Sequence, residues 1–130
     1  MRRIDAAPGA PGPLGSYNLA VVHAGVVYVA GQVAVDEAGE LVGGDDPLAQ
    51  ARQAYANLDA VLRAAGSDLT RLLKLTVFLT DMRHSEAAAQ ARREFVPAEA
   101  FPASTLVQVS SLAHPSWLIE VEAMAALAEP

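Results

Sequence analysis

The sequence contains no cysteine among its 130 residues. This absence excludes disulfide bridges, thiol nucleophiles and cysteine-based metal sites. It is consistent with a reducing compartment, and we expect a cytoplasmic protein. The three histidines, His23, His84 and His114, have no metal-ligand spacing with one another or with a suitable carboxylate. We therefore expect no metal ion in this protein.

Positive charge is scarce, with 9 basic residues against 15 acidic ones and a formal net charge of -6. The pairs Arg2-Arg3 and Arg92-Arg93 are isolated and form no basic stripe. Binding to a phosphate backbone needs a positively charged surface. We therefore expect no nucleic-acid partner.

Long apolar runs are also missing, since no stretch approaches the length of a membrane span. The first 15 residues contain two arginines but no apolar segment of the kind found in secretory signals. We expect a soluble protein with no membrane partner and no secretory leader.

The residues that are present suit a well-packed core, because 52% are apolar and 18% are charged. A chain of this length is typical of one compact domain, which we place at residues 1–130. Residues 1–16 are rich in proline and glycine in their second half, so we expect an irregular lead-in there.

Hydrophobic patterns predict seven regular elements. Residues 17–35 have the pattern of a β-hairpin that turns at His23-Ala24-Gly25. A helix is predicted next, capped by Asp46, with Pro47 in its first turn and Gly66 at its end. A strand over 72–81, a helix over 85–96 and strands over 104–112 and 116–127 follow.

The order β-β-α-β-α-β-β predicts an α+β fold with one mixed sheet and two helices on one of its faces. In the third strand Leu73, Leu75, Val77 and Leu79 alternate with polar or aromatic residues. The strands are apolar on both sides, so the second face of the sheet needs a cover. Another copy of the same chain would supply one.

The last predicted strand has the clearest chemical signal. Trp117, Ile119 and Val121 share one face, and Glu120 and Glu122 share the other. Carboxylates two residues apart on a strand lie about 7 Å from each other. This spacing suits a carboxylate base beside one water or substrate group, although a solvated face or a salt bridge to a neighbouring chain is the simpler interpretation.

Other candidate sites have little support. Each histidine lies in a predicted turn, loop or helix start, where a surface role is the simpler interpretation. Ser104 and Thr105 have no evident histidine partner, and the chain has no nucleophile elbow, so a serine hydrolase is not expected. The segment from Ala30 to Gln32 lacks the glycines and lysine of a phosphate-binding loop.

Several motifs, in order and spacing, resemble the RidA/YjgF family of small homotrimeric proteins. The resemblance covers nearly the whole chain, from about Pro13 to Ala126. It rests on the following segments: "LGSYNLAV", "VVYVAGQVAVDEAGELV", "QARQAYANLDAVLRAAG", "LLKLTVFLTDM", "PASTLVQVSSL" and "LIEVEAMA".

This resemblance implies a chorismate-mutase-like fold and a homotrimer with three clefts between its subunits. Characterised members of the family hydrolyse reactive enamines and imines to keto acids and ammonia, without a metal or cofactor. An arginine grips the substrate carboxylate, and a glutamate of the last strand holds or activates water.

Carried over residue by residue, the resemblance assigns the glutamate to Glu120, a tyrosine of the cleft to Tyr17 and a cleft glycine to Gly31. Ala30 stands where the family has serine before that glycine. Thr105 is a further polar contact, and Leu106 and Trp117 are possible apolar walls. On the second helix, Ala89 and Ser85 take the places of an asparagine and a phenylalanine.

Ser104 occupies the position of the arginine in the Pro-Ala-Arg-Ser/Thr motif. Arginine binds a carboxylate through a fixed fork of charged donors, whereas serine has one neutral hydroxyl. We therefore expect low or no activity on 2-imino acids, unless Arg83 or Arg92 reaches the cleft.

Three hypotheses follow. The first is a divergent hydrolase of an imine, an enamine or a related reactive metabolite, with Glu120 as the base. The second is a small-molecule-binding or regulatory trimer without turnover. The third is a ribonuclease, an activity also known in the family, and the acidic charge argues against it.

Overall fold

The computed structural model describes residues 1–128 and consists of one sheet and two long helices. Within these residues no helix is long and apolar enough to cross a membrane. The elements are β1 (Arg2–Ile4), β2 (Ala20–His23), β3 (Val26–Gln32), α1 (Pro47–Ala65), β4 (Leu72–Leu79), α2 (Ser85–Phe95), β5 (Ala103–Gln108) and β6 (Ile119–Ala126).

The six strands form a single mixed sheet in the order β1-β2-β3-β6-β4-β5. Strand β6, the last in the chain, lies between β3 and β4 and is antiparallel to both. Strands β4 and β5 are parallel and are joined through α2. The predicted α+β fold and element order are therefore confirmed, with one strand added at the N-terminus.

Helix α1 begins and ends where the sequence predicted. The Asp46 side chain accepts hydrogen bonds from the backbone N–H groups of Leu48 and Ala49, and Pro47 occupies the first turn. Gly66 follows the helix with φ 89°, a left-handed conformation that suits glycine. The buried face of α1, which includes Tyr55, packs on β3 and β6.

The expectation of an irregular segment over residues 1–16 is wrong for its first residues. Arg2–Ile4 form an edge strand that pairs antiparallel with Ala20–Val22 of β2. The Arg2 guanidinium also donates to the carbonyl of Ala65 at 2.7 Å, at the end of α1. Pairing with a distant strand explains why local composition did not reveal β1, since an edge strand needs little apolar character of its own.

The predicted alternation of β4 is also wrong at one position. The pairing of β4 with β6 shifts register between Leu72 and Lys74, so Leu72 and Leu75 both face the core. Leu73 is consequently 48% exposed, whereas Leu75 is fully buried. A bulge of this kind inserts one extra residue and reverses the side-chain alternation beyond it.

The helices cover one face of the sheet and leave the other open. Ile119, Val121 and Ala123 of β6 face the helices and are buried. On the open face, Tyr28 and Met124 remain exposed by 44% and 43%. This face also presents Glu120, so the position of the candidate base depends on the alternation of β6.

The bulge in β4 leads to a stability prediction. Leu75→Ala should lower the free energy of unfolding by about 2–5 kcal/mol, because it leaves a cavity in the core. Leu73→Ala, the matched control on the same strand, should change it by no more than about 0.5 kcal/mol. Urea denaturation followed by circular dichroism measures both. Equal losses would contradict the register shift.

Candidate functional site

A cleft of about 590 Å³ opens beside β3 and β6, on the side of the sheet away from the helices. This volume is in the range of small-molecule sites. Four predicted site residues besides the candidate base line it. The full lining is Leu14, Tyr17, Ala30, Gly31, Val33, Ala113, His114, Trp117 and Glu120.

The floor of the cleft is shaped by a second bulge. Between the paired residues Val29 and Gln32, β3 has two residues, Ala30 and Gly31, while β6 has one. A Cβ atom on Gly31 would stand 2.6 Å from the carboxyl carbon of Glu120 and closer still to its oxygen. Only glycine therefore leaves room for the Glu120 carboxylate in its present position.

Glu120 is a half-buried carboxylic acid with a perturbed pKa. Burial, which disfavours the charged form, raises the pKa above its ordinary value, and the negative charge of Glu122 raises it further. Glu122 itself is exposed and lies beside Tyr28 and Lys74 in a neighbouring hollow. The two carboxylates therefore share a face of β6 but do not share the cleft.

A raised pKa suits the two roles that a carboxyl group has in hydrolysis. The carboxylate accepts a proton from water more readily, and the acid that results can return the proton to a leaving group. The arrangement at Glu120 is thus capable of general base and general acid chemistry.

Tyr17 reaches the cleft from the loop before β2. Its hydroxyl oxygen accepts a hydrogen bond from the backbone N–H of Leu14 at 3.2 Å. This contact closes the loop and leaves the phenolic proton available for donation. Tyr17 thus lines the cleft, and its contact with a ligand stays a prediction.

Trp117 lies in the cleft and not in β6, which begins two residues later at Ile119. The prediction that Trp117 shares the face of Ile119 is wrong. The side chain of Gln50 explains the difference, because its oxygen accepts from the N–H of Leu118 and its nitrogen donates to the carbonyl of Ser116. These bonds anchor the backbone on both sides of Trp117 to helix α1.

His114 was assigned no role from the sequence, and it lines the cleft beside Trp117. The two rings are tilted by 31° with centroids 5.6 Å apart. Nδ1 of His114 accepts a hydrogen bond from the backbone N–H of Ser116 at 3.1 Å. The turn from His114 to Trp117 is closed further by the backbone bond from the N–H of Trp117 to the carbonyl of His114.

A second buried amide fixes the opposite side of the cleft. Asn57 of α1 is fully buried, and its side-chain nitrogen donates to the carbonyls of Val33 and Val35 at 2.9 and 2.8 Å. The chain after β3 is thereby held by the helix. The sequence does contain a signal for both amides, since Gln50 and Asn57 interrupt the apolar face of α1 at helical spacing.

Three predicted site residues are not in this cleft. Ser104, Thr105 and Leu106 lie on β5, the edge strand, two strands away from β6. In register, Ser104 stands beside the buried Leu75, whereas Glu120 stands beside Phe78 on the open face. Side chains alternate along strands, so Ser104 and Glu120 are on opposite faces of the sheet within one chain.

Thr105 has a partner on the open face. Its hydroxyl accepts a hydrogen bond from the Lys74 ammonium group at 2.9 Å. Lys74 also donates to the carbonyl of Leu75 at 3.1 Å. Thr105 is thus part of the surface around β4 and β5 and not of the cleft at Glu120.

Neither arginine considered as a substitute lies in the cleft of its own chain. Arg83 makes a fork of bonds to Asp81, and it lowers the pKa of that carboxyl to about 2. Arg92 donates to the hydroxyl of the buried Tyr55 in the helix layer. The cleft of one chain therefore has no arginine among its lining residues.

Metal binding has no geometric basis in the described residues. Across residues 1–128, no three histidine, aspartate or glutamate side chains cluster as metal ligands would. What the cleft offers to a ligand is one carboxyl group, one phenol and the rings of Trp117 and His114.

Comparisons with known proteins place this geometry in context. A family model described as endoribonuclease L-PSP matches residues 8–127. A human protein named 2-iminobutanoate/2-iminopropanoate deaminase is 35% identical over 126 residues, which are 96% of this chain and 90% of that protein. A RutC family protein of Pyrococcus horikoshii is 36% identical, over 96% of this chain and 98% of its own length.

Solved structures show the same similarity in the fold. A Yersinia pestis protein of the conserved Rid protein family superimposes with a TM-score of 0.89 and 31% sequence identity. The match covers 95% of this chain and 98% of that one. The similarity therefore extends over almost the whole chain in sequence and in fold.

The hydrogen bonds of Gln50 lead to a prediction about the cleft wall. Gln50→Leu removes the partners of three backbone groups, those of Gly44, Ser116 and Leu118, and should lower the free energy of unfolding by about 2–4 kcal/mol. Gln90→Leu, on the outer surface of α2, is the control and should have little effect. Denaturant titration tests both, and a neutral Gln50→Leu would contradict the anchoring role.

The pKa of Glu120 is directly measurable. Carbon-detected NMR titration should give Glu120 a pKa above its ordinary value, and Glu122→Gln should lower that pKa without restoring the ordinary value, because burial is the larger cause. The folded state then binds this proton more tightly than the unfolded state. Its stabilising contribution is present at low pH and is lost as the pH rises through the folded pKa.

The same shift predicts a difference in stability between pH values. Glu120→Gln removes the burial of a charge. The free energy of unfolding of the variant minus that of wild type should therefore be more favourable to the variant at pH 7 than at pH 4. Denaturation at both pH values measures this. An unchanged difference, or an ordinary pKa for Glu120, would contradict the electrostatic description of the cleft.

Proposed function

We propose that this chain, which belongs to the RidA/YjgF family whose model is described as endoribonuclease L-PSP, hydrolyses an imine, an enamine or a related reactive metabolite in the cleft at Glu120. The observation that carries the proposal is the half-buried Glu120 carboxyl, held against Gly31 in a cleft of ligand size. Its raised pKa favours proton transfer to and from the carboxyl group.

The proposed reaction adds water across a carbon–nitrogen double bond. The Glu120 carboxylate takes a proton from water while the water oxygen attacks the imine carbon. The nitrogen receives this proton, which gives a neutral carbinolamine. The hydroxyl proton of the carbinolamine then passes to the nitrogen, the carbon–nitrogen bond breaks, and ammonia leaves as the carbonyl forms. In this proposal, the phenol of Tyr17 donates a hydrogen bond to the substrate.

We further propose that the site is completed by a second copy in a homotrimer. Ser104 and Glu120 are on opposite faces of one sheet, so a ligand can meet both only between two chains. The exposed Tyr28 and Met124 favour a partner on the open face. In this arrangement Ser104, Thr105 and Leu106 of one subunit would approach Tyr17, Gly31 and Glu120 of the next.

Substrate choice in this proposal follows from Ser104. The human relative is named for 2-imino acids, which carry a carboxylate. A charged hydrogen bond contributes about 1.5–3 kcal/mol, so serine in place of arginine should weaken carboxylate binding by roughly ten- to a hundredfold. The proposed substrates are therefore imines without a small carboxylate.

Two alternatives differ in what the cleft does. A small-molecule-binding or regulatory trimer is favoured by the altered Ser104 and Ala30 positions, and it would show affinity without turnover. A ribonuclease fits the family description but needs positive charge for phosphates. The net charge of -6 and a cleft lining without lysine or arginine argue against it.

An imine-hydrolysis assay with variants tests the proposal. Glu120→Gln should lower turnover of a neutral imine by about 10²–10⁴-fold, the usual contribution of a general base. Ser104→Arg should raise kcat/KM for 2-iminopropanoate by roughly ten- to a hundredfold, because it restores a charged fork for the carboxylate. Ammonia release from imines generated in situ is the measurement.

Ser104→Gln is the control, since it adds length and polarity without charge and should not reproduce the gain. Full activity in Glu120→Gln would remove the proposed base. Wild-type turnover of 2-iminopropanoate equal to that of Ser104→Arg would contradict the substrate argument. Ligand binding with no turnover of any imine would favour the regulatory trimer.

A further inference from the structure

The cleft has an aromatic wall, which we define as Trp117 and His114. Their rings are 5.6 Å apart and both line the cleft, together with the phenol of Tyr17. Leu14, Val33 and Ala113 complete an apolar lining around them. Such a surface has a larger and flatter contact area than a three-carbon imine can use.

The aromatic wall is held rigidly by groups outside the cleft. Gln50 binds the backbone on both sides of Trp117, at Ser116 and Leu118. The N–H of Trp117 donates to the carbonyl of His114 at 3.1 Å. The backbone that carries the aromatic wall is therefore ordered before a ligand binds. This ordering reduces the conformational entropy that is lost on binding.

The hydrogen bond at His114 also sets its tautomer. Because Nδ1 accepts from the N–H of Ser116, the neutral ring carries its proton on Nε2. His114 in this form has one N–H donor.

The cleft lining contains one acidic side chain and no basic lysine or arginine. The acidic side chain is Glu120, one of nine lining residues. An anionic ligand would meet the Glu120 carboxylate without a compensating cation. A cationic ligand would be attracted both by that carboxylate and by the faces of the aromatic rings.

From these features we propose that the cleft selects flat aromatic imines without a carboxylate, bound in their protonated form, with the aromatic wall as the specificity determinant. The planar substituent packs on Trp117 and His114, and the C=NH₂⁺ group faces Glu120. The chemistry in this inference rests on the proposed hydrolase function, whereas the preference for a flat cationic ligand concerns binding and does not require turnover.

The reaction balances for such a substrate. The protonated imine of benzaldehyde, PhCH=NH₂⁺, and water give benzaldehyde and an ammonium ion. Glu120 takes a proton from water during attack and returns it to the nitrogen before the carbon–nitrogen bond breaks. No oxidant, reductant or cofactor is consumed.

Binding can be measured separately from turnover with a stable mimic. Benzamidinium has the flat ring and the planar cationic C–N group of the proposed substrate, and it is not hydrolysed on the time scale of a titration. Trp117 is the one tryptophan of the chain, so its fluorescence reports on the cleft itself. Acetamidinium lacks the ring, and benzoate reverses the charge.

We expect benzamidinium to change the Trp117 fluorescence. It should bind at least about tenfold more tightly than acetamidinium, because its ring contacts the aromatic wall. It should also bind at least about tenfold more tightly than benzoate, because its charge is positive. Glu120→Gln should weaken benzamidinium binding by about tenfold or more. Trp117→Leu and His114→Asn, measured by calorimetry, should weaken it about threefold or more while leaving acetamidinium unchanged.

Matched variants separate a local effect from misfolding. His23→Asn changes an exposed histidine at the end of β2, outside the cleft, and should bind benzamidinium like wild type. Trp117→Phe keeps a ring and should retain part of the affinity. His114→Asn keeps an acceptor for the N–H of Ser116, so the turn is preserved while the ring and its Nε2 donor are lost.

The turnover arm compares the imine of benzaldehyde, made from benzylamine by a flavin-dependent amine oxidase, with 2-iminopropanoate. The inference is supported if benzamidinium binds more tightly than the other two probes, if this preference depends on Trp117, and if the aromatic imine is hydrolysed faster than 2-iminopropanoate. Equal affinity for the three probes, or an unchanged affinity in Trp117→Leu, overturns it even if imines are hydrolysed. Selective benzamidinium binding without any hydrolysis would sink the hydrolase proposal and leave the ligand class standing.

Discussion

Five hydrogen bonds from two buried amide side chains connect helix α1 to the segments that form the cleft. Gln50 binds the chain at Gly44, Ser116 and Leu118, and Asn57 binds it at Val33 and Val35. These bonds satisfy backbone groups of segments outside the named strands. The position of Trp117 on one side and of Val33 on the other thus depends on the packing of α1, whose apolar face is part of the core.

Between these two anchored segments, a bulge in β3 and a glycine make room for a single carboxyl group. Burial of Glu120 without a nearby cation is unfavourable for its charged form, and the same burial makes it a stronger base. The fold is shared with proteins of the Rid family. In the proposed function, Ser104 and the aromatic wall both favour ligands that carry no negative charge.

Local patterns predicted the regular elements because each depends on neighbours in the sequence. Asp46, Pro47 and Gly66 set the limits of α1 through contacts within four residues, and alternation identified β4 and β6. The failures have non-local causes. Strand β1 exists because β2 is available to pair with it, and Leu73 is exposed because β6 imposes a register shift on β4. For the same reason, the sequence could not reveal that Trp117 leaves the last strand.

Motifs in the sequence made Glu120, Tyr17 and Gly31 candidate site residues, and the tertiary structure decided that they line one cleft. The sequence by itself determined the two helices, the capping of α1 and the alternation that points Glu120 away from the core. Tertiary structure alone decided that His114 lies beside Trp117 in the aromatic wall. It also decided that Gln50 and Asn57 bind the segments beside the cleft, and that Ser104 lies on the opposite face of the sheet from Glu120. The reason is physical: caps and alternation act over a few residues, whereas bulges, buried amides and strand pairing join residues far apart in the sequence, such as Val29 and Ala123, whose proximity appears only when the chain is packed.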